Sequence, residues 1–183
     1  MSGWLRQAST GGGAGSNGVR ARWPACALAV AVFALGALPG AAKPARADQG
    51  YPYDKMQVVE TAHAYGDFVK RLAQAVKEEP DLNVVSRASA TMGAKTLGLT
   101  IPGNAVIMVY GPKYAVRMLE ASVPAGIEAP LVFYVTEDAS GKVTLTYRQP
   151  SSVFAPYASA ELDAMALELD AAFAAIARRA IAP

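Results

Sequence analysis

Cysteine, histidine and tryptophan are nearly missing: one Cys, one His and two Trp among 183 residues. Cys26, Trp4 and Trp23 all precede Asp48, so the rest of the chain has no thiol and no indole. One Cys closes no disulfide within the chain, and without a Cys/His cluster there is neither a structural zinc site nor covalent haem attachment. One imidazole must serve any nucleophile, and none of Ser122, Ser151 and Ser152 sits in a Gly-x-Ser-x-Gly turn, which argues against a hydrolase. Acidic residues are absent before Asp48, whereas five of the 17 basic ones lie there. From Asp48 onward twelve basic residues face fifteen acidic ones, a charge of −3. No basic excess remains to neutralise phosphates, which excludes a nucleic-acid binder.

What the first segment does contain is an address. Arg20 and Arg22 precede an apolar run from Ala25 to Leu38, followed by Pro39-Gly40 and Ala45-Arg46-Ala47. A basic region, a short apolar core and a small-x-small site make a secretory signal, with cleavage expected after Ala47. The run is short of the roughly 20 residues that a membrane helix needs, so no span is expected in the cleaved protein. Cys26 opens the apolar run instead of closing it, against a lipoprotein, and no Arg-Arg pair supports a twin-arginine route. Upstream, Ser9 to Gly18 is a Gly-rich tract consistent with an over-long start. Its Gly13-x-Gly15-x-x-Gly18 matches a dinucleotide fingerprint in letters only, because no strand precedes it and no amphipathic helix follows. The mature chain, Asp48 to Pro183, is expected to be a single domain in the periplasm or secreted.

Hydrophobic periodicity predicts its elements. Met56 to Glu60 and Leu82 to Ser86 read as strands, and Ala64 to Lys77 as an amphipathic helix that Pro80 bars from continuing. A short helix from Thr91 to Leu97 ends at Gly98. The run Ala105 to Tyr110 predicts a strand buried on both faces, and Gly111-Pro112 opens a helix through Tyr114, Val116 and Leu119. Leu131 to Thr136 and Val143 to Tyr147 form a hairpin, the second strand turning Val143, Leu145 and Tyr147 inward. Ser159 caps a final helix with a Leu162, Met165, Leu169, Phe173, Ile176 stripe. The expectation is a two-layer α+β sandwich: a mixed, mostly antiparallel sheet with helices on one face.

Six short blocks then carry a resemblance. They are Gly93 to Ile101, Gly111 to Ala115, Met118 to Ser122, Ile127 to Leu131, Glu137 to Val143 and Tyr147 to Pro150. In this order and spacing they resemble the family called domain of unknown function 302. The resemblance implies a small α+β fold that readily forms homodimers, and haem b bound non-covalently in some members. Many members carry an Asp-His pair after the second strand, where this chain reads Arg87-Ala88-Ser89-Ala90-Thr91-Met92. Met92 stands near that place as a soft donor.

The candidate site residues follow from ligand chemistry. His63, the single imidazole, and Met118 are the candidate axial ligands of haem iron. Met92, Tyr114, Arg117 and Tyr134 are the candidate cofactor contacts. Each has an ordinary alternative: a capping His, core-filling Met, packed Tyr and a paired Arg. Glu120 and Glu128 flank a turn and with Arg117 make the one acid–base set in view. Gly93-Ala94-Lys95-Thr96 lacks the Gly-Lys step of a phosphate loop. Two readings stand side by side: an exported homodimer binding a small ligand, haem b included, and a cofactor-free module that recruits an envelope partner. An acid–base enzyme comes third.

Overall fold

The computed structural model describes residues 55–183, so the signal segment lies outside the described residues. In chain order the elements are β1 (Met56–Thr61), α1 (Tyr65–Lys77), β2 (Asn83–Ala88), α2 (Ala90–Thr96) and β3 (Asn104–Tyr110). Then come α3 (Pro112–Ala121), a 3-10 turn (Val123–Glu128), β4 (Leu131–Glu137), β5 (Val143–Arg148), α4 (Pro150–Phe154), a second 3-10 turn (Ala155–Tyr157) and α5 (Ala160–Ile181). The sheet runs β1-β5-β4-β3-β2. Every pairing is antiparallel, where a mixed sheet was expected. The α+β class stands.

Alternation builds the core. Ala105, Ile107 and Val109 on β3, Phe133 and Val135 on β4, and Val143, Leu145 and Tyr147 on β5 are buried on the helix-covered face. Against them lie Phe68, Leu72 and Val76 of α1 and the predicted stripe of α5, all buried. Phe133 stacks on Phe173 at 4.5 Å between centroids, and Tyr147 meets Phe133 edge-on at 5.1 Å. The Ser159 hydroxyl accepts from the Leu162 amide at 3.3 Å, Glu161 and Asp163 sit in the first turn, and Arg178 and Arg179 in the last. Those charges complement the helix dipole.

Four details depart from expectation. β3 is buried on one face only, because helices cover one side of the sheet and leave Val106 and Met108 half-buried. On α3 the inward residues are Ala115 and Met118, while Val116 and Leu119 are exposed. Thr146 points away from the helices yet is buried. The helix α4 was not foreseen; five residues give too little periodicity to see, although Pro150 suits a first helical position. It buries Pro150, Val153 and Phe154.

Gly111 joins β3 to α3 with φ −130, which suits any residue, so space and not torsion selects glycine there. A Cβ there would sit 2.4 Å from the backbone oxygen of Asp81. Gly111→Ala should therefore destabilise the domain by about 1–3 kcal/mol through overpacking. Urea unfolding checks this; an unchanged midpoint would mean that the β2 entry moves aside freely.

Candidate ligand-binding cleft

The sheet edge at β2 is irregular. Val84 pairs with Val109 and Ser86 with Met108, leaving Val85 as an extra residue, and Arg87 then pairs with Ile107. A bulge shifts the alternation by one, so Arg87 shares a face with Val84 on the helix side, where an unbulged strand would turn it away. The chain next turns into α2, whose cap Ser89 accepts from the Met92 amide at 3.2 Å and donates to the Asn104 carbonyl at 2.8 Å. Thr91 Oγ1 donates to the Pro102 carbonyl at 3.0 Å and accepts from the Asn104 amide at 2.7 Å. Both hydroxyls tie α2 to the start of β3.

Between this tie and the first turn of α1 opens a cleft of about 660 Å³. Tyr65, Val69, Ala88, Met92, Ile101 and Ala105 give it apolar walls, with Arg87, Lys95 and Glu137 as its charged groups. A volume between about 300 and 1,000 Å³ is usual for small-molecule sites. The rear is fixed: Gly103 donates to Glu137 Oε2 at 2.9 Å, and the Glu137 amide returns a bond to the Gly103 carbonyl at 2.8 Å. The Tyr65 ring lies on Gly103 so closely that a Cβ there would meet it at 2.4 Å. Arg87 and Lys95 form no ion pair among the described residues. Met92 on the cleft wall, and Leu97 and Leu99 just after it in the chain, are exposed at 62%, 75% and 57%.

Of the candidates read from sequence, Met92 alone lines this cleft. Met118 is buried against Met165, Leu169 and Phe173, at a void of about 30 Å³, room for little more than a water. Tyr114 edges that void; burial, then the Glu168 carboxylate, raises its pKa. His63 lies elsewhere, its Nε2–H donating to the Ala182 carbonyl at 2.9 Å and its ring over Phe68. From Leu169 to Ala182 is thirteen residues, about 20 Å of helix. A porphyrin held between His63 and Met118 does not fit this arrangement.

Arg117 donates to both carboxylate oxygens of Glu168, at 2.7 and 2.8 Å. That bond raises the Arg117 pKa and lowers that of Glu168. Its partner is thus neither Glu120 nor Glu128; Glu128 instead accepts from the Tyr157 hydroxyl at 3.1 Å. Arg117 and Glu120 line one hollow, but Glu128 lines another, so the set of three is not brought together. Tyr134 is half-buried on the helix-free face, bonded to Asn104. No three His, Cys, Asp or Glu among the described residues are placed to hold a metal ion, and no described helix is long and apolar enough to cross a membrane.

Sequence reasoning missed Arg87, Lys95 and Tyr65. Only the bulge puts Arg87, itself exposed, on the helix side of the strand, and nothing in a run such as Asn-Val-Val-Ser-Arg-Ala marks it.

The profile of the family described as "Domain of unknown function DUF302" matches residues 57–180, which spans β1 to the last turn of α5. The chain belongs to the DUF302 family. Its fold is similar to that of the uncharacterized conserved DUF302 protein from Bacillus stearothermophilus. The TM-score is 0.62 at 19% identity, over 69% of this chain and 98% of that one. Curated relatives include "Fluoride-specific ion channel FluC 1" of Brucella suis biovar 1 (strain 1330), 30% identical over 93 residues, or 51% of this chain. "Fluoride-specific ion channel FluC 1" of Brucella abortus biovar 1 (strain 9-941) matches at the same identity. The chain spans only 36% and 34% of these relatives. The DUF302 match thus covers the whole cleft, Tyr65 through Glu137.

Proposed function

We propose that this is an exported small-ligand-binding protein whose ligand occupies the cleft between α1, the β2 bulge and α2. One observation carries the reading: about 660 Å³ of mostly apolar space fixed at its rear by the Gly103–Glu137 bonds. A site that already has its shape loses little ordering entropy on binding. Haem b enters this reading as one ligand to offer the cleft, with Met92 as the thioether on its wall. The test is titration of the cleaved protein with 1-anilinonaphthalene-8-sulfonate and, separately, hemin. Saturable fluorescence at one site supports the reading; neither probe binding would sink it. A Soret band altered by Met92→Ala would add haem as a ligand.

A second reading, a cofactor-free module acting as a homodimer, is favoured by the exposed Val116, Leu119, Val123 and Ile127 along α3 and the turn after it. Such a ridge is apolar surface that a second copy could cover. Relatives named as ion channels, with about two thirds of their length outside the match, agree with a domain that works beside an envelope protein. Sedimentation of wild type and Ile127→Glu tests the ridge: a dimer lost in the variant supports it, and a monomeric wild type removes it.

Export has its own expected result. Expressed with its first segment in a bacterial host, the protein should begin at Asp48 by intact mass. It should also lack indole fluorescence, since Trp4 and Trp23 leave with the leader. A retained indole signal would contradict cleavage.

A further inference from the structure

We infer that the cleft selects an amphipathic carboxylate, its acid held between Arg87 and Lys95 and its apolar body against Tyr65, Val69, Met92 and Ile101. This rests on the cleft being the ligand site. The bulge at Val85 puts Arg87 on the helix side of β2, where it lines an apolar hollow, at the cost of a ladder irregularity. Arg87 comes from β2 and Lys95 from the last turn of α2, so the two cations approach the hollow from different elements. Neither is neutralised by an ion pair among the described residues. An acid brought to them gains charge-assisted hydrogen bonds that no protein carboxylate already makes.

Glu137 is the one acid lining the cleft, and its Oε2 is held by the Gly103 amide. Two cations and one anion leave a single positive charge, which matches a monoanion and leaves a phosphate dianion under-compensated. The walls favour a hydrocarbon or aromatic body over a sugar or nucleotide, because they offer side-chain area and few free donors. Met92, on the cleft wall, is itself 62% exposed, so apolar surface is open to a ligand's body.

Three ligands of equal chain length test the inference by calorimetry on the cleaved protein: decanoate, decanol and decyl phosphate. Decanoate should bind at least tenfold tighter than decanol, a gap of about 1.4 kcal/mol. Arg87→Gln with Lys95→Gln should abolish that preference while leaving decanol binding and the circular dichroism spectrum unchanged. Equal binding of decanoate and decanol by the wild type would overturn the charge assignment and leave the cleft reading standing. Decyl phosphate binding tighter than decanoate would overturn the carboxylate in favour of a phosphate. Binding of none of the three would overturn the inference, and the cleft reading would then stand or fall on the 1-anilinonaphthalene-8-sulfonate titration. A preference for decanoate that survives in the double variant would place the acid elsewhere and overturn the inference.

Discussion

Phe173→Ala should cost about 3–5 kcal/mol of folding stability, the upper range for truncating a core aromatic. Its ring stacks on Phe133 at 4.5 Å and lies 5.8 Å from Tyr147, which joins the centre of α5 to β4 and β5. Few neighbours can relax into the space left, because Phe133, Leu145, Leu169 and Ile176 are themselves buried on both sides of the interface. The void beside Met118 is already lined by Phe173, so truncation enlarges a cavity instead of opening a fresh one. Cost grows with residual cavity volume, and a domain's total stability is only about 5–15 kcal/mol. Urea unfolding should give a much lower midpoint at an unchanged slope. Leu167→Ala, on the exposed side of the same helix, should stay within about 0.5 kcal/mol and serves as the control. A loss under about 1 kcal/mol for Phe173→Ala would mean that α5 does not pack through this ring.

The same helix shows why the fold was legible. Leu162, Met165, Leu169, Phe173 and Ile176 recur at helical spacing over many turns, and Ser159 marks the start; both signals are local and strong. The β4–β5 hairpin reads as easily, because Val143, Leu145 and Tyr147 alternate with threonines. α3 is less clear: outside the charged face of Lys113, Arg117 and Glu120 its apolar side chains spread over a wide arc, so spacing alone does not tell that Met118 faces in and Leu119 out. The candidate site was harder still. His63 and Met118 were chosen for their ligating atoms, a chemical criterion that carries no distance, and the tertiary fold puts them near different parts of α5. Arg87 was invisible for the opposite reason. Its direction depends on a register shift at Val85 that arises from pairing with β3, and pairing is not written in a six-residue strand. Met92 was singled out near the place where this chain lacks the Asp-His pair of many family members, and it lines the cleft.

Gly66→Trp should close the cleft while leaving the domain folded. Gly66 lies in the first turn of α1 and lines the cleft, and a Cβ built there meets no heavy atom within 4 Å. The first atom of a new side chain is therefore accommodated, and the indole beyond it has the hollow to fill. Replacing a helical glycine also removes its backbone-entropy cost, roughly 0.5–1 kcal/mol relative to alanine, so stability should hold or rise. Binding of 1-anilinonaphthalene-8-sulfonate should weaken at least tenfold, about 1.4 kcal/mol, because the indole competes for the same apolar walls. Gly66→Ala separates occlusion from any effect on the helix: it should keep the wild-type affinity with the same or a higher urea midpoint. The variant carries its own reporter, since no other tryptophan follows Asp48. An indole seated against Tyr65 and Ile101 should emit to the blue of a solvated one and resist acrylamide quenching. Undiminished probe binding beside a buried indole would place the ligand site outside the cleft. The hollow lined by Arg117, Glu120 and Glu161, of about 630 Å³, would then be the next surface to block.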